Sequence, residues 1–274
     1  YGDHRVLHLS IRRQRLMCIR DRNTNEEFRI KEHWPLVHLP KYLAILGLIL
    51  MTINMYLIFL VAPTDMVLGH IQRIFYIHVP MAILSFLCFF IVFIGSLGYF
   101  GVFQVFKFKS IKQNTWDSVA HSAAEVGVIF VTLALITGVI WAKPVWGTWW
   151  TWEPRLTTTL ILWLIYVSYL MLRSYAGTTK QGAVFSAVIG IVGFVDVPIV
   201  YYSVVWWRSI HPSAVIGPFS ESNSLDPTMN LILLFSFLTI LVLFAYLILE
   251  RIALRNTEFD LSKLKILREL KRIR

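Results

Sequence analysis

Six long apolar segments leave this chain few ways to fold. They run approximately over residues 42–62, 79–104, 119–142, 156–175, 182–205 and 229–250. Each is long enough to cross about 30 Å of hydrocarbon as an α-helix. Inside a bilayer the backbone polar groups must be satisfied within the protein, which favours helices over open strands. We therefore predict an all-α integral membrane protein with six transmembrane helices.

The composition and the distribution of basic residues support this topology. Of the 274 residues, 57% are hydrophobic and 15% are charged, which is not typical of a soluble domain. The N-terminal arm, the 105–118 and 173–181 connections and the C-terminal stretch from residue 250 onward together hold 22 Lys and Arg residues, whereas the other three connections hold 4. The positive-inside rule then places both termini in the cytoplasm or its organellar equivalent. This distribution by membrane side explains the net charge of +10, and no nucleic-acid partner is expected.

Three regions follow from this topology. Residues 1–41 form a basic cytoplasmic arm, residues 42–254 a six-helix transmembrane domain and residues 255–274 a basic cytoplasmic tail. Within the arm, residues 1–22 are interpreted as non-native, because the sequence MCIRDR resembles the translation of a sequencing adapter. Apolar and basic residues alternate in the tail. We predict that it continues the last helix along the inner leaflet, where anionic lipid attracts Lys and Arg.

The Trp-rich segment, residues 146–157 (WGTWWTWEPRLT), connects the third and fourth spans on the predicted outer side. Four of the ten tryptophans fall within seven of its residues: Trp146, Trp149, Trp150 and Trp152. An interfacial aromatic belt would spread its rings over many segment ends. The density of rings in one connection instead indicates a platform at the outer membrane–water boundary.

The order of residues in the segment predicts its local structure. On a helix, Trp146, Trp149 and Trp150 would share one face, and Glu153 would extend it. Pro154 disfavours a helical conformation at Glu153. We therefore predict a short surface helix that ends at Glu153 and a new membrane helix with Pro154 in its first turn.

The platform suits a flat, largely apolar guest that carries carboxylates, and haem has these properties. Its indoles offer flat faces and N–H donors, and Arg155 can pair bidentately with a carboxylate. Two histidines lie on the same side, His78 just before the second span and His211 just after the fifth. Imidazole is a common axial ligand of haem iron. A single histidine at such a position is more often an interfacial polar group, but the two together favour iron ligation. His70 is a third, weaker candidate for a ligand.

Two further intramembrane features have open interpretations. Glu125 and His121 lie one turn apart near the inner end of the third span, and an acid inside a membrane indicates function by default. Two interpretations of these residues are equally open: a pair that holds helices together, or a second haem or proton site. Pro198 lies in the fifth span and predicts a kink there.

These motifs resemble the haem-handling membrane proteins with a tryptophan-rich signature, specifically the CcmC family of cytochrome c maturation. The resemblance covers roughly residues 40–250 and is most specific over residues 143–157. It is supported by the stretch YIHVP at residues 76–80 and by residues 197–211. The chain departs from the signature in one place, since the family usually has Asp-Ala where Glu153-Pro154 stands here.

The resemblance implies a haem-binding scaffold that presents haem b, held transiently as cargo, at the outer face of the inner membrane. The haem would pass to the periplasmic chaperone CcmE during maturation of c-type cytochromes. The implied axial ligands are His78 and His211. The implied haem platform comprises Trp146, Gly147, Trp149, Trp150, Trp152, Glu153 and Arg155. CcmA, CcmB, CcmD and membrane lipid are the other implied partners. The implied location is a bacterial inner membrane, with the mitochondrial inner membrane as the alternative.

Two other functions stay open at this point. A haem-channel component of a cytochrome c synthase would be an enzyme and would need further membrane-embedded histidines, of which only His121 is available. A small-solute transporter would have its site near the membrane midplane. No Ser/His/Asp or Cys/His set is visible in the sequence, so we expect no enzymatic activity.

Overall fold

The computed structural model describes residues 34–103, 112–177, 179–207, 209–212 and 225–272, with side chains from residue 39 onward. The predicted arm up to residue 33, including the stretch interpreted as non-native, lies outside these ranges. From Pro40 onward the chain forms one compact unit. Within the described ranges it is helical and contains no strand, and six helices are long and apolar enough to span a membrane. The predicted fold class is confirmed.

Within the described residues, seven α-helices build the six spans. They are α1 (Trp34–Tyr56), α2 (Phe75–Tyr99), α3 (Gln113–Trp146), α4 (Pro154–Ala176), α5 (Lys180–Phe194), α6 (Asp196–Trp206) and α7 (Pro227–Arg272). A π-helical turn, Leu57–Val61, extends α1, and a 3-10 turn, His70–Ile74, leads into α2. We call the end of the bundle with the Trp-rich segment the platform end, and the end where α3 begins the tail end.

The fifth span consists of α5 and α6, which are separated at Val195. Pro198 has no backbone N–H to donate to the carbonyl of Phe194, four residues earlier, and this accounts for an interruption at this place. Toward the tail end α5 packs closely against α2, since a Cβ on Gly190 would lie 2.6 Å from the Ser96 hydroxyl. Both halves of this span also pack against α4. Contact with α2 is concentrated in the α5 half.

The helices are packed tightly at the centre of the bundle. A Cβ on Gly127 would lie 2.7 Å from the ring of Phe89 and 2.8 Å from Cβ of Cys88, so α2 and α3 approach closely at this glycine. The ring of Phe89 stacks on Tyr166 of α4 with centroids 3.8 Å apart. Both rings are buried completely. This core supports the walls of the cavity described below.

The tail continues the last helix, as predicted. With 46 residues and a rise of about 1.5 Å per residue, α7 is roughly 69 Å long. The hydrocarbon core is about 30 Å thick, so a large part of α7 extends beyond it. Its position along a leaflet stays a prediction.

Candidate functional site

A cavity opens at the platform end between α2, α3, α4 and α6. Most of its walls are apolar, and the histidines predicted as ligands, His78 and His211, both line it together with Arg155. The space between the lining side chains is about 1330 Å³ when the open solvent at its mouth is included. The cavity is therefore a broad cleft that is open on one side.

The Trp-rich segment begins where α3 stops. Gly147 has a left-handed conformation with φ 77°, and its N–H donates to the carbonyl of Lys143 at 2.9 Å. A left-handed glycine of this kind commonly terminates a helix. The chain is non-helical from Gly147 to Glu153, so the predicted short surface helix is wrong. The prediction for Pro154 is confirmed, since it is the first residue of α4.

The irregular backbone divides the four tryptophans into two pairs. Trp146 and Trp150 line the cavity, whereas Trp149 and Trp152 do not. The latter two are 56% and 75% exposed. Lys143 lies against Trp149, with its Nζ 5.9 Å from the ring centroid. Contact of haem with all four rings stays a prediction, and the structure brings two of them to the cavity.

His78 lies near the start of α2 and is held by one face of α3. Its Nδ1 is 3.0 Å from Oγ1 of Thr137. Its ring meets Trp141 edge to face, with centroids 5.9 Å apart. A Cβ on Gly138 would lie 3.2 Å from Cε1 of the same ring, so this glycine makes room for the imidazole. Three residues on one face of α3 thus determine where this ring lies.

His211 lies in the short described stretch after α6. Its Nδ1–H donates to the carbonyl oxygen of Pro212 at 2.9 Å, and because a carbonyl can only accept, the proton is on Nδ1. Its ring is edge to face with Trp146, with centroids 6.4 Å apart. Burial, assisted by the nearby charge of Arg155, lowers the pKa of His211 to about 4. At neutral pH the ring is uncharged, and Nε2 keeps the lone pair that a metal ligand needs.

Glu153 connects the Trp-rich segment to the stretch that carries His211. This carboxylate is buried, and its Oε1 accepts from the N–H of Leu156 at 2.7 Å, which caps α4. Its Oε2 accepts from the hydroxyl of Ser209. The same hydroxyl oxygen accepts from the backbone N–H of His211 at 3.1 Å. The acid that replaces the usual Asp of the signature therefore has two defined contacts.

Several donors around the cavity have no acceptor. Within the described parts of the chain, the guanidinium of Arg155 forms no ion pair or hydrogen bond. The buried indole N–H groups of Trp141 and Trp150 have no acceptor there either. Such donors beside an apolar cavity fit a ligand that carries carboxylates. With two imidazoles from different elements lining the same cavity, the residues present fit haem, whose iron needs only axial ligands from the protein.

Three residues of the site were not singled out in the sequence: Thr137, Trp141 and Ser209. The first two lie one turn apart on α3, and that helical spacing was the available signal. Ser209 had no signal beyond standing two residues before His211. His70, the third outward candidate, is exposed and does not line the cavity. Among the residues that the structure describes, no cluster of three or more His, Cys, Asp or Glu could hold a metal ion by itself.

Two ion pairs lie at the tail end of the bundle. Both carboxylate oxygens of Glu125 accept from the guanidinium of Arg251 in α7, and His121 Nε2 lies 3.4 Å from Oε1 of the same residue. Arg173 of α4 donates to Asp117 of α3 at 2.7 Å. These contacts link three helices and support the helix-packing interpretation of Glu125 and His121.

Comparison with known proteins shows which protein family this chain is similar to. A family model described as CcmC, heme exporter protein C, matches residues 32–266. The chain is 33% identical to heme exporter protein C of Escherichia coli K12 over 211 residues, which are 77% of this chain and 80% of the relative. It is 36% identical to heme exporter protein C of Bradyrhizobium diazoefficiens over 220 residues, 78% and 77% of the two chains. It is 32% identical over 181 residues, 66% and 73% of the two chains, to a cytochrome c biosynthesis ccmC-like mitochondrial protein of Marchantia polymorpha.

Proposed function

The chain belongs to the CcmC family of haem exporter proteins, and we propose that it is the subunit that holds haem and presents it to a chaperone. The family has a role in haem delivery for cytochrome c maturation, and the six spans make this chain a multi-pass membrane protein. One observation carries the proposal. His78 and His211 line the same cavity, and the Nδ1 of each lies within hydrogen-bond distance of an oxygen of the protein.

Different lining residues would have different roles in holding haem b, which is bound transiently as cargo. His78, from α2, and His211, from the stretch after α6, would bind the iron from the two faces of the ring. Trp146 and Trp150 would pack against the macrocycle. Arg155 would pair with a propionate, since it is the cavity's guanidinium and has no partner within the described residues.

The partner would approach from the open side of the cavity. Exposed Trp149 and Trp152 lie beside Trp150 in sequence, and large aromatic rings are common anchors at protein interfaces. We assign this surface to the chaperone CcmE, with CcmA, CcmB and CcmD as the other members of the complex. The distribution of Lys and Arg supports a platform end in the periplasm and both termini in the cytoplasm. The membrane would be a bacterial inner membrane, with the mitochondrial inner membrane as the alternative.

Binding and presentation require no bond chemistry from this chain, and we propose that it is not an enzyme. The haem-channel component of a cytochrome c synthase would need a second haem site with further histidines. His121 is the histidine available for that role, and it is 3.4 Å from the carboxylate of Glu125, which Arg251 also binds. This contact favours the presenting role.

Absorption spectroscopy of the purified protein, co-expressed with the chaperone, tests the proposal. We expect a low-spin spectrum of bis-histidine haem in the wild type, its loss in the variant with both His78→Ala and His211→Ala, and less haem on the chaperone. His70→Ala is the matched control, because this histidine is exposed and outside the cavity.

Two results would contradict the proposal. Unchanged haem in the double variant would remove both histidines as ligands. A wild-type protein that binds no haem, with or without the chaperone, would exclude the proposed haem-binding function. The alternative function, a small-solute transporter, would then be favoured.

A further inference from the structure

The hydroxyl of Thr137 lies within hydrogen-bond distance of His78 Nδ1, and the other hydrogen bonds of this hydroxyl decide the direction of the contact. Its Oγ1 lies 2.7 Å from the carbonyl oxygen of Leu133 and 3.1 Å from that of Ala134. Carbonyl oxygens only accept, so the single hydroxyl hydrogen of Thr137 is donated back along α3. Toward the imidazole, Oγ1 can then act only as a hydrogen-bond acceptor, through its lone pairs.

This direction determines the tautomer of His78. If Oγ1 accepts, the ring nitrogen 3.0 Å away must carry the hydrogen, so the proton of the neutral imidazole is on Nδ1. Nε2 is then unprotonated and has a free lone pair. The opposite tautomer would place the hydrogen on Nε2, where iron has to bind. The hydroxyl therefore selects the tautomer that can act as a ligand.

The neighbours of Thr137 restrict the orientation of the same ring. Gly138, the next residue, leaves space for the imidazole edge, and Trp141, one turn further, borders the ring edge to face. We propose that Thr137 is a positioning residue, whose hydroxyl holds the Nδ1–H of His78 and keeps Nε2 available for haem iron. Because this role rests on the proposed function, the test below separates failure of the one from failure of the other.

The Nδ1 of His211 has a comparable contact, but there the acceptor is a backbone group. The Nδ1–H of His211 is held by a backbone carbonyl, that of Pro212, which no side-chain substitution removes. At His78 the oxygen 3.0 Å from Nδ1 belongs to a side chain, which can vary with the sequence, and the backbone carbonyl of Ala134 lies beside it. Hydrogen bonds to the outer nitrogen of a metal-bound imidazole fix its orientation and raise its basicity. Thr137 is thus the position at which ligand strength can be adjusted.

Thr137→Val tests the inference, because valine has nearly the same shape and no hydroxyl. We expect about a 10- to 100-fold loss of haem affinity, a larger high-spin fraction and a higher midpoint potential of the remaining haem, since a weaker donor favours the reduced iron. Thr137→Ser keeps the hydroxyl and should restore all three properties. Thr239→Val is the matched control: Thr239 is buried in α7, and its hydroxyl donates to Phe235 at 2.9 Å.

Solid-state 15N NMR of protein labelled at histidine and purified without haem reads the tautomer directly. The His78 signal, assigned by its absence from His78→Gln, should show protonated Nδ1 in the wild type and in Thr137→Ser. Thr137→Val should show a mixture of tautomers. A protonated Nε2 in the wild type, or haem properties of Thr137→Val equal to those of Thr239→Val, would overturn the inference. Absence of haem from every variant would contradict the proposed function, while the NMR result would still decide the role of Thr137.

Discussion

At its tail end α3 pairs its acidic side chains with neighbouring helices, whereas at its platform end several hydrogen-bond donors around it lack an acceptor. Asp117 binds Arg173, and Glu125 binds Arg251. At the other end, among the described residues, the indole N–H of Trp141 has no acceptor and the guanidinium of Arg155 has no ion-pair or hydrogen-bond partner, although the charge of Glu153 is nearby. One helix thus combines two ways of placing polar groups in a membrane.

This contrast separates structural polar groups from ligand-binding polar groups in this fold. A charge inside a membrane is costly and is normally paired within the bundle or faces a cavity. The tail-end pairs meet the first condition and hold α3, α4 and α7 together. The platform-end groups meet the second, and a ligand with a metal and carboxylates would satisfy them. Mutations at the tail end should therefore affect stability, and those at the platform end haem binding.

The largest expected effect is at the tail end. Asp117→Asn should destabilise the fold by about 3–5 kcal/mol, because Arg173 would keep a buried charge without its counter-ion. Arg173 is only 3% exposed. Thermal unfolding in detergent measures this loss, and the haem spectrum of the folded protein should not change. The control is Asp226→Asn at the exposed cap of α7. Equal stability of the two variants, or an altered haem spectrum, would contradict the purely structural role of the tail-end pairs.

The next effect is at the platform end. Arg155→Gln should weaken haem binding by about 1.5–3 kcal/mol, the usual range for hydrogen bonds to charged groups, with little change in thermal stability. Titration of the haem-free protein measures it. Haem dimethyl ester has no carboxylate, so wild type and variant should bind it equally. Lys143→Gln removes a charge outside the cavity and should leave both affinities unchanged. A variant that weakens haem and its ester alike would show that Arg155 does not bind a propionate.

A smaller effect is expected from the contact between Glu153 and the His211 stretch. Ser209→Ala removes one hydrogen bond to Glu153 and one from His211, at a cost of about 0.5–1.5 kcal/mol each. We expect severalfold lower haem occupancy and a larger high-spin fraction, with Ser209→Thr close to wild type. Ser203→Ala is the control, because this buried serine donates to Val200 within α6. Wild-type spectra for Ser209→Ala would show that His211 does not need this contact.

The smallest effect is expected for the two exposed tryptophans. Replacing Trp149 and Trp152 together with Phe should change haem affinity by no more than about 0.5 kcal/mol. The same change at Trp146 and Trp150, which line the cavity, should weaken it clearly. Transfer of haem to the chaperone, measured separately, should fall for the exposed pair. Equal losses of haem affinity in both double variants would mean that all four rings touch haem.

Much of this arrangement could be predicted from the sequence. The six spans, the start of α4 at Pro154 and the fifth-span interruption near Pro198 depend on local composition and on proline chemistry. The Trp-rich segment was located correctly, but its backbone was not, because helical spacing of its rings outweighed the signal of Gly147. A left-handed glycine ends a helix, whereas the periodicity around it suggests that the helix continues.

Six membrane spans and two histidines near the tryptophans can be predicted from the amino-acid sequence alone, since hydrophobic length and residue order are local properties. Which polar groups have partners depends on the packing of the helices. Asp117 meets Arg173, and Glu153 meets Ser209, across 56 residues in each case, and His78 meets Thr137 across 59. Such contacts depend on how the helices pack, and no local pattern specifies them.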